Sequence, residues 1–275
     1  MRYFSAFTGV GGFDMGMPSD WGCVGMSEID KHANMVLKYR FKDVKNYGNI
    51  EKINYEELPD FDIQIGGSPC QDVSVAGKRA GLVGLRSRLF FSYVALLKVK
   101  QPDYFIFENV KGLLSSNDGR DFAEVINQFS DAGYDNIWWQ VLDAADVGIP
   151  QHRERIFIIG TLGGSGFKKV FFKRKNEEKN NGNRTNIRTL TGGAHSGGLH
   201  SNMTAFSYDN ENMRRLTPLE CERLMGWPDE WTKYGINDKG NVVEMSDNSR
   251  YNLIGNGVVP QIVTNLVRII SPDRS

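Results

Sequence analysis

The stretch "GGSPCQDVS", residues 66 to 74, follows the apolar run "FDIQI" and sets a thiol, Cys70, among glycine, proline and polar neighbours. Buried cysteines are usually inert small hydrophobes, which is the expectation for Cys23 and Cys221. The neighbours of Cys70 suit core packing poorly and suit a thiol held on an exposed turn well, where sulfur can act as a nucleophile. A second apolar run, "YFIFENV", ends by placing Glu108 and Asn109 at a comparable position. A third, "QHRERIFIIG", carries Arg153 and Arg155 two residues apart, on one face of a strand. A thiol hydrolase would need a histidine partner at such a strand end, and His152, beside Arg153, points to the opposite face.

These groups meet only if their elements share a sheet. The first part of the chain alternates short apolar runs with helix-like stretches: "RYFSAF", "CVGMS" then "EIDKHANMVLKYRF", "FDIQI" then "LFFSYVALLKVK", "YFIFE" then "GRDFAEVINQFSDAGY". That order predicts a mostly parallel sheet with helices on both faces. Ligands of such sheets sit beyond the carboxyl ends of the strands. After the first strand, "FTGVGGF" offers Gly9, Gly11 and Gly12 for close backbone approach and a tight turn. After the second comes Glu28, about 20 residues beyond the glycine loop, placed to accept from ribose hydroxyls of an adenosine-type ligand. Asp14 stands where a dinucleotide fingerprint has glycine, which disfavours NAD. From about Gly163 the alternation fails, with "KNEEKNNGNRTN" and "TGGAHSGGLHSN" poor in apolar residues. Helices return in "TPLECERLMGW", where Thr217, Pro218 and Glu220 form an N-terminal signature, and in "PQIVTNLVRII".

The chain has 275 residues, 40% hydrophobic and 24% charged, which fits one large globular domain with a smaller satellite. Three cysteines without paired spacing and four histidines argue against a disulfide framework or a zinc cluster and for a reducing compartment. The N-terminus lacks a signal-like pattern and no window approaches the ~20 apolar residues of a bilayer span, so a cytoplasmic protein with no membrane partner is expected. Net charge is zero, yet between Gly163 and Arg215 ten basic side chains stand against four acidic ones. On charge alone this is either a solvated loop or a segment that faces phosphate.

"SPCQDVS", "FENVKGL", "QHRERIFIIG", "RRLTPLECERLMGWP" and "GNGVVPQIV" together resemble the ordered motifs of the DNA cytosine-5 methyltransferases, over almost the whole chain. The resemblance implies an α/β fold: a Rossmann-like S-adenosylmethionine-dependent methyltransferase sheet with a small, irregular target-recognition domain. Residues 1–162 would form the catalytic and cofactor-binding domain, 163–249 the recognition domain, and 250–275 a segment returning to the catalytic domain. Cytosine C5 is too electron-poor to be methylated directly, so Cys70 would add to C6, Glu108 would serve N3, Arg155 would stabilise O2 and Arg153 would support the site. S-adenosylmethionine would be held by Phe7, Gly9, Gly11, Gly12, Glu28, Ile29, Asn49, Ile50, Pro69, Leu89, Asn256 and Val258, with Phe7 against adenine. The target base must leave the stack. Double-stranded DNA would be met by Gln71, Ser74, Arg188, Thr189, Leu190, Thr191, Gly192, Gly193 and Arg215, with Thr189, Leu190 and the glycines nearest the opened base pair.

The family usually has aspartate at the positions of Ser5 and Asn49; Asn49 can still accept through its amide oxygen, so cofactor binding is expected. The related transfer-RNA enzymes carry a Cys-Phe-Thr tripeptide that this chain lacks, which favours DNA. Retention of Cys70, Glu108 and both arginines opposes a catalytically silent DNA-binding module. A monomer without metal, of bacterial or phage type, completes the expectation; whether a cognate restriction endonuclease accompanies it is not written in the sequence.

Overall fold

The computed structural model describes residues 1–69, 88–163, 187–188, 190, 204–206 and 213–270. The chain runs β1 (Arg2–Ala6), β2 (Gly22–Ser27), α1 (Lys31–Arg40), β3 (Ile63–Gly66), α2 (Arg88–Lys100), β4 (Tyr104–Val110), α3 (Arg120–Asp131), β5 (Tyr134–Asp143), β6 (Gln151–His152) and β7 (Glu154–Leu162). Six of these strands form one sheet in the order β2-β1-β3-β4-β7-β5. The first four are mutually parallel, and β7 runs antiparallel to both β4 and β5. β5 is an edge strand that the apolar alternation does not mark, because most of its side chains are only half covered. Beyond the sheet, β8 (Ile187–Arg188) pairs with β6, and β9 (Thr204–Phe206) with β10 (Met213–Arg215). Then follow α4 (Pro218–Leu224), the hairpin β11 (Tyr234–Ile236) and β12 (Val242–Glu244), α5 (Asp247–Gly255) and α6 (Pro260–Ile270).

Strand side chains alternate between two buried layers, as a sheet covered on both faces requires. Tyr3, Ile63, Ile65, Ile106, Phe157 and Ile159 pack on one side with residues of α1 and α6. Phe4, Ala6, Phe105, Phe107, Ile156 and Ile158 pack on the other with Phe90, Tyr93 and Phe129 of α2 and α3. Apolar residues on both sides of the expected division at residue 249 share one core. Leu216, Cys221, Met225, Trp227 and Met245, assigned from sequence to the recognition domain, belong to the same cluster as Tyr3 and Ile63. The α5–α6 run, Asp247–Ile270, is long and apolar enough by composition to cross a bilayer, contrary to the expectation from sequence. It is two helices, broken between Gly255 and Pro260, and its apolar residues Ile254, Ile262, Val263 and Leu266 lie inside the core.

Ser5 and Asp14, two positions where the chain departs from expected patterns, are partners. Ser5 is fully buried and its hydroxyl donates to Asp14 Oδ2 at 3.0 Å. The Cys23 thiol faces Asp14 Oδ1 at 3.9 Å. Burial pushes the Asp14 carboxyl from 3.8 up to about 6, against the hydrogen bond from Ser5, which lowers it. A carboxyl raised in the fold binds a proton there that it has already lost in the unfolded chain, so stability falls as pH climbs from about 4 to about 6. The span corresponds to about 3 kcal/mol. Urea unfolding at pH 4 and pH 7 should show the wild type losing that much relative to Asp14→Asn; parallel stabilities of the two proteins would contradict the assignment.

Candidate active site

The register between β4 and β7 sets Glu108 opposite Phe157 and Val110 opposite Arg155. Glu108 and Arg155 are thus diagonal neighbours on one face of the sheet. Their side chains pair, Arg155 Nε lying 3.1 Å from Glu108 Oε1, with only about a sixth of each side chain exposed. Burial raises the Glu108 carboxyl above its ordinary range, while Arg155 and then Arg153 pull it back, and the net displacement is upward. His152 points away, its Nδ1 2.9 Å from Asp143 Oδ2.

The chain leaving β3 passes close to this pair. Gly66 has a φ of 151°, and a Cβ there would lie 2.2 Å from the Ala6 carbonyl oxygen. A Cβ on Gly67 would lie 2.6 Å from the Glu108 carbonyl oxygen and 2.7 Å from its Oε2. The glycine pair in "GGSPC" therefore exists so that the loop can cross the ends of β1 and β4 at backbone distance. Ser68 and Asn109, which carry no expected role, brace the crossing: both are buried, and Asn109 Nδ2 donates to Ser68 Oγ at 3.4 Å. The polar residue following Glu108 was the available signal. Cys70, two residues on, lies outside the described residues.

Glu108, Arg153 and Arg155 line a cavity of about 680 Å³. Phe7, Gly9, Gly12, Glu28, Ile29, Asn49, Ile50, Pro69, Leu89, Asn256 and Val258 line it as well. Glu28 is held by backbone donors: Gly9 N–H to Oε2 at 2.7 Å, and Ile29 and Asp30 N–H to Oε1 at 2.8 and 2.7 Å. Burial nevertheless raises its pKa. Ile29, 64% exposed, presents an apolar side chain at the rim. Phe7 sits at φ 53°, a conformation that costs a non-glycine residue on the order of 1–3 kcal/mol and is found mainly at functional sites. The Asn49 amide oxygen accepts from Glu51 N–H at 3.0 Å, leaving one lone pair for another donor. Gly11 does not line the cavity: its φ of 87° favours glycine, and a Cβ there would lie 2.6 Å from the Phe41 ring. Among the described residues no cluster of His, Cys, Asp and Glu could hold a metal ion.

An open, parallel-dominated sheet with a glycine loop and an acid beyond its strand ends is a Rossmann-like methyltransferase fold. Solved methyltransferase structures bear this out: one from Entamoeba histolytica aligns over 100% of this chain and 99% of its own, with a TM-score of 0.74 and 16% identity. One from S. pombe aligns over 100% of both chains with a TM-score of 0.73 and 18% identity. Residues 1–207 and, in an overlapping match, 164–271 fit the C-5 cytosine-specific DNA methylase family. The chain belongs to that family. An orphan methyltransferase of Bacillus phage rho11s is 42% identical over 165 residues, 58% of this chain and 33% of that protein. A type II methyltransferase of Lactococcus lactis subsp. cremoris is 31% identical over 309 residues, 95% of this chain and 76% of its own. The chain spans 33% to 49% of the length of the first five curated relatives it matches.

Of the residues expected to meet DNA, Gln71, Ser74, Thr189, Thr191, Gly192 and Gly193 lie outside the described residues, and of Arg188 the backbone alone is described. Arg215 is exposed. Leu190 corrects the expectation: its side chain is 0% exposed and belongs to the core cluster of Leu142, Ala144 and Leu216. An apolar side chain this well buried anchors its segment and cannot face a base pair. Leu190→Ala should therefore lower the free energy of unfolding by about 2–5 kcal/mol in denaturant titration. A change within about 0.5 kcal/mol, as at surface positions, would restore the DNA-facing role.

Proposed function

We propose that this chain transfers a methyl group from S-adenosylmethionine to C5 of a cytosine swung out of double-stranded DNA, through a transient bond between Cys70 and C6. The observation that carries the reading is the Glu108–Arg155 pair on the wall of a nucleoside-sized cavity, beside the root of the loop that leads to Cys70. The residues present suit the cofactor: the Glu28 carboxylate fits ribose hydroxyls, Phe7 and Ile29 offer apolar surface to a purine, and Asn49 keeps an acceptor site. When bound, S-adenosylmethionine supplies an electrophilic methyl group on sulfur.

The task of the protein is to make C5 nucleophilic. Addition of the Cys70 thiolate to C6 pushes electron density onto N3 and O2, where a protonated Glu108 donates to N3 and Arg155 donates to O2. Loss of the C5 proton to solvent after methylation restores the ring and expels the thiolate, and the proton held at N3 returns to Glu108. Neither described thiol suits that role, since burial pushes Cys23 and Cys221 each up to about 12. The basic segment between Gly163 and Arg215 supplies phosphate contacts, with polar side chains for base edges.

Fragmented genomic DNA incubated with the protein and S-adenosylmethionine, then mapped by bisulfite sequencing, should show 5-methylcytosine at one recurring sequence. No modified cytosine, or modification confined to RNA, would overturn the reading. Because Glu108 must be protonated to donate, the same assay across pH should show the rate falling as pH rises through its elevated pKa. Glu108→Gln, which cannot titrate, should flatten that limb and slow transfer by roughly 10²–10⁴-fold.

A further inference from the structure

Arg153 stands just ahead of β7 and is 3% exposed. Its NH1 donates to the Leu190 carbonyl at 2.9 Å, and its NH2 to the carbonyls of Gly255 at 3.1 Å and Gly257 at 2.7 Å. Gly255 ends α5, so its carbonyl lies at the electronegative end of a helix, which draws a guanidinium. Two residues before Arg153, buried Gln151 accepts from Leu190 N–H at 3.0 Å and donates to the Leu224 carbonyl at 2.7 Å. Both backbone groups of Leu190 are therefore held by adjoining side chains of one short segment.

The contacts continue past Gly257. Trp227 Nε1 donates to the Val258 carbonyl at 2.9 Å, and a Cβ on Gly12 would lie 2.9 Å from the Val258 nitrogen. Leu190, Arg153, Gly257, Val258 and Gly12 form an unbroken path from the basic segment to the wall of the cavity.

We propose that Arg153 is a positioning residue that couples the two ends of this path, so that seating DNA on the segment around Leu190 fixes the Gly255–Val258 loop, and cofactor against that loop fixes Leu190 in return. The inference rests on the methyltransferase reading and adds to it a cause for cooperative binding. A planar guanidinium can bridge three carbonyls in different directions; a lysine ammonium, a single point on a flexible stem, cannot hold all three. Coupling of this kind is reciprocal between the two ligands.

Titration calorimetry with S-adenosylhomocysteine, with and without a substrate duplex, measures it. The wild type should bind the cofactor analogue about 5- to 150-fold more tightly when the duplex is present. Arg153→Lys should bring that ratio to within about twofold of one, beyond any change in affinity for either ligand alone. Binding of neither ligand by the wild type would sink the methyltransferase reading itself. Binding of both with a ratio of one, or an Arg153→Lys protein that keeps the wild-type ratio, would sink only the coupling. Should Arg153→Lys fail to fold, amide exchange of the wild type decides: duplex alone must slow exchange at Gly257 or Val258, and S-adenosylhomocysteine alone must slow it at Leu190. Absence of both effects overturns the proposal.

Discussion

A carboxylate and a guanidinium held 3.1 Å apart at the open end of a buried sheet are the interaction on which the rest of the molecule turns. Either group alone would be expensive to place there, since burial of an unpaired charge is opposed by several kcal/mol or more. The pairing is made possible by the one reversed strand. β1, β2, β3 and β4 run parallel and present their final residues at a common edge, where Glu108 lies near the end of β4. A parallel neighbour would bring its own last residues to that edge. β7 runs the other way and brings its first, so Arg155 reaches the place where Glu108, Gly67 and the glycine loop already converge. Arg153 enters by the same reversal. Sheet polarity, rather than any local motif, assembles acid and base chemistry at one point.

The two arginines then divide the work by depth. Arg155 keeps about a sixth of its side chain exposed toward the cavity and can trade its partner for a ligand oxygen. Arg153 is sunk among carbonyl groups, and burial followed by repulsion from Arg155 pulls its pKa down to about 9, leaving it charged at neutral pH. A charge so placed is held by backbone carbonyls from two distant stretches of chain, which makes it a structural tie between them.

Much of this architecture is legible in the amino-acid sequence itself. "FDIQI", "YFIFENV" and "QHRERIFIIG" are apolar runs with abrupt polar ends; each supplies a strand of the central sheet, and Ser68, Glu108 and Arg155 at or just beyond those ends line the cavity. The capping pattern of Thr217 and Glu220 forms as read, with Glu220 N–H donating to the threonine hydroxyl. What escapes such a reading is decided by tertiary contact. β5 alternates over a half-covered edge and carries little signal. Leu190 sits in a polar, glycine-rich stretch that reads as surface, and nothing local announces that Gln151 and Arg153, nearly forty residues earlier, hold its backbone while the core takes its side chain. Gly11 matches a cofactor loop by type, yet it stands off the cavity, where its left-handed backbone turns beside the Phe41 ring. That Leu216, Cys221, Met225, Trp227 and Met245 join the cluster of the sheet is also unannounced, because composition marks where packing weakens and says little about which core an apolar residue joins.

The central claim is that sulfur bonds transiently to a pyrimidine carbon so that its neighbour can be alkylated. A duplex carrying 5-fluorocytosine at the modified position cannot lose a C5 proton, so it should trap the protein as a covalent adduct only when S-adenosylmethionine is present. Peptide mass spectrometry should place the bond on Cys70. No adduct, or one on Cys23 or Cys221, would contradict the account.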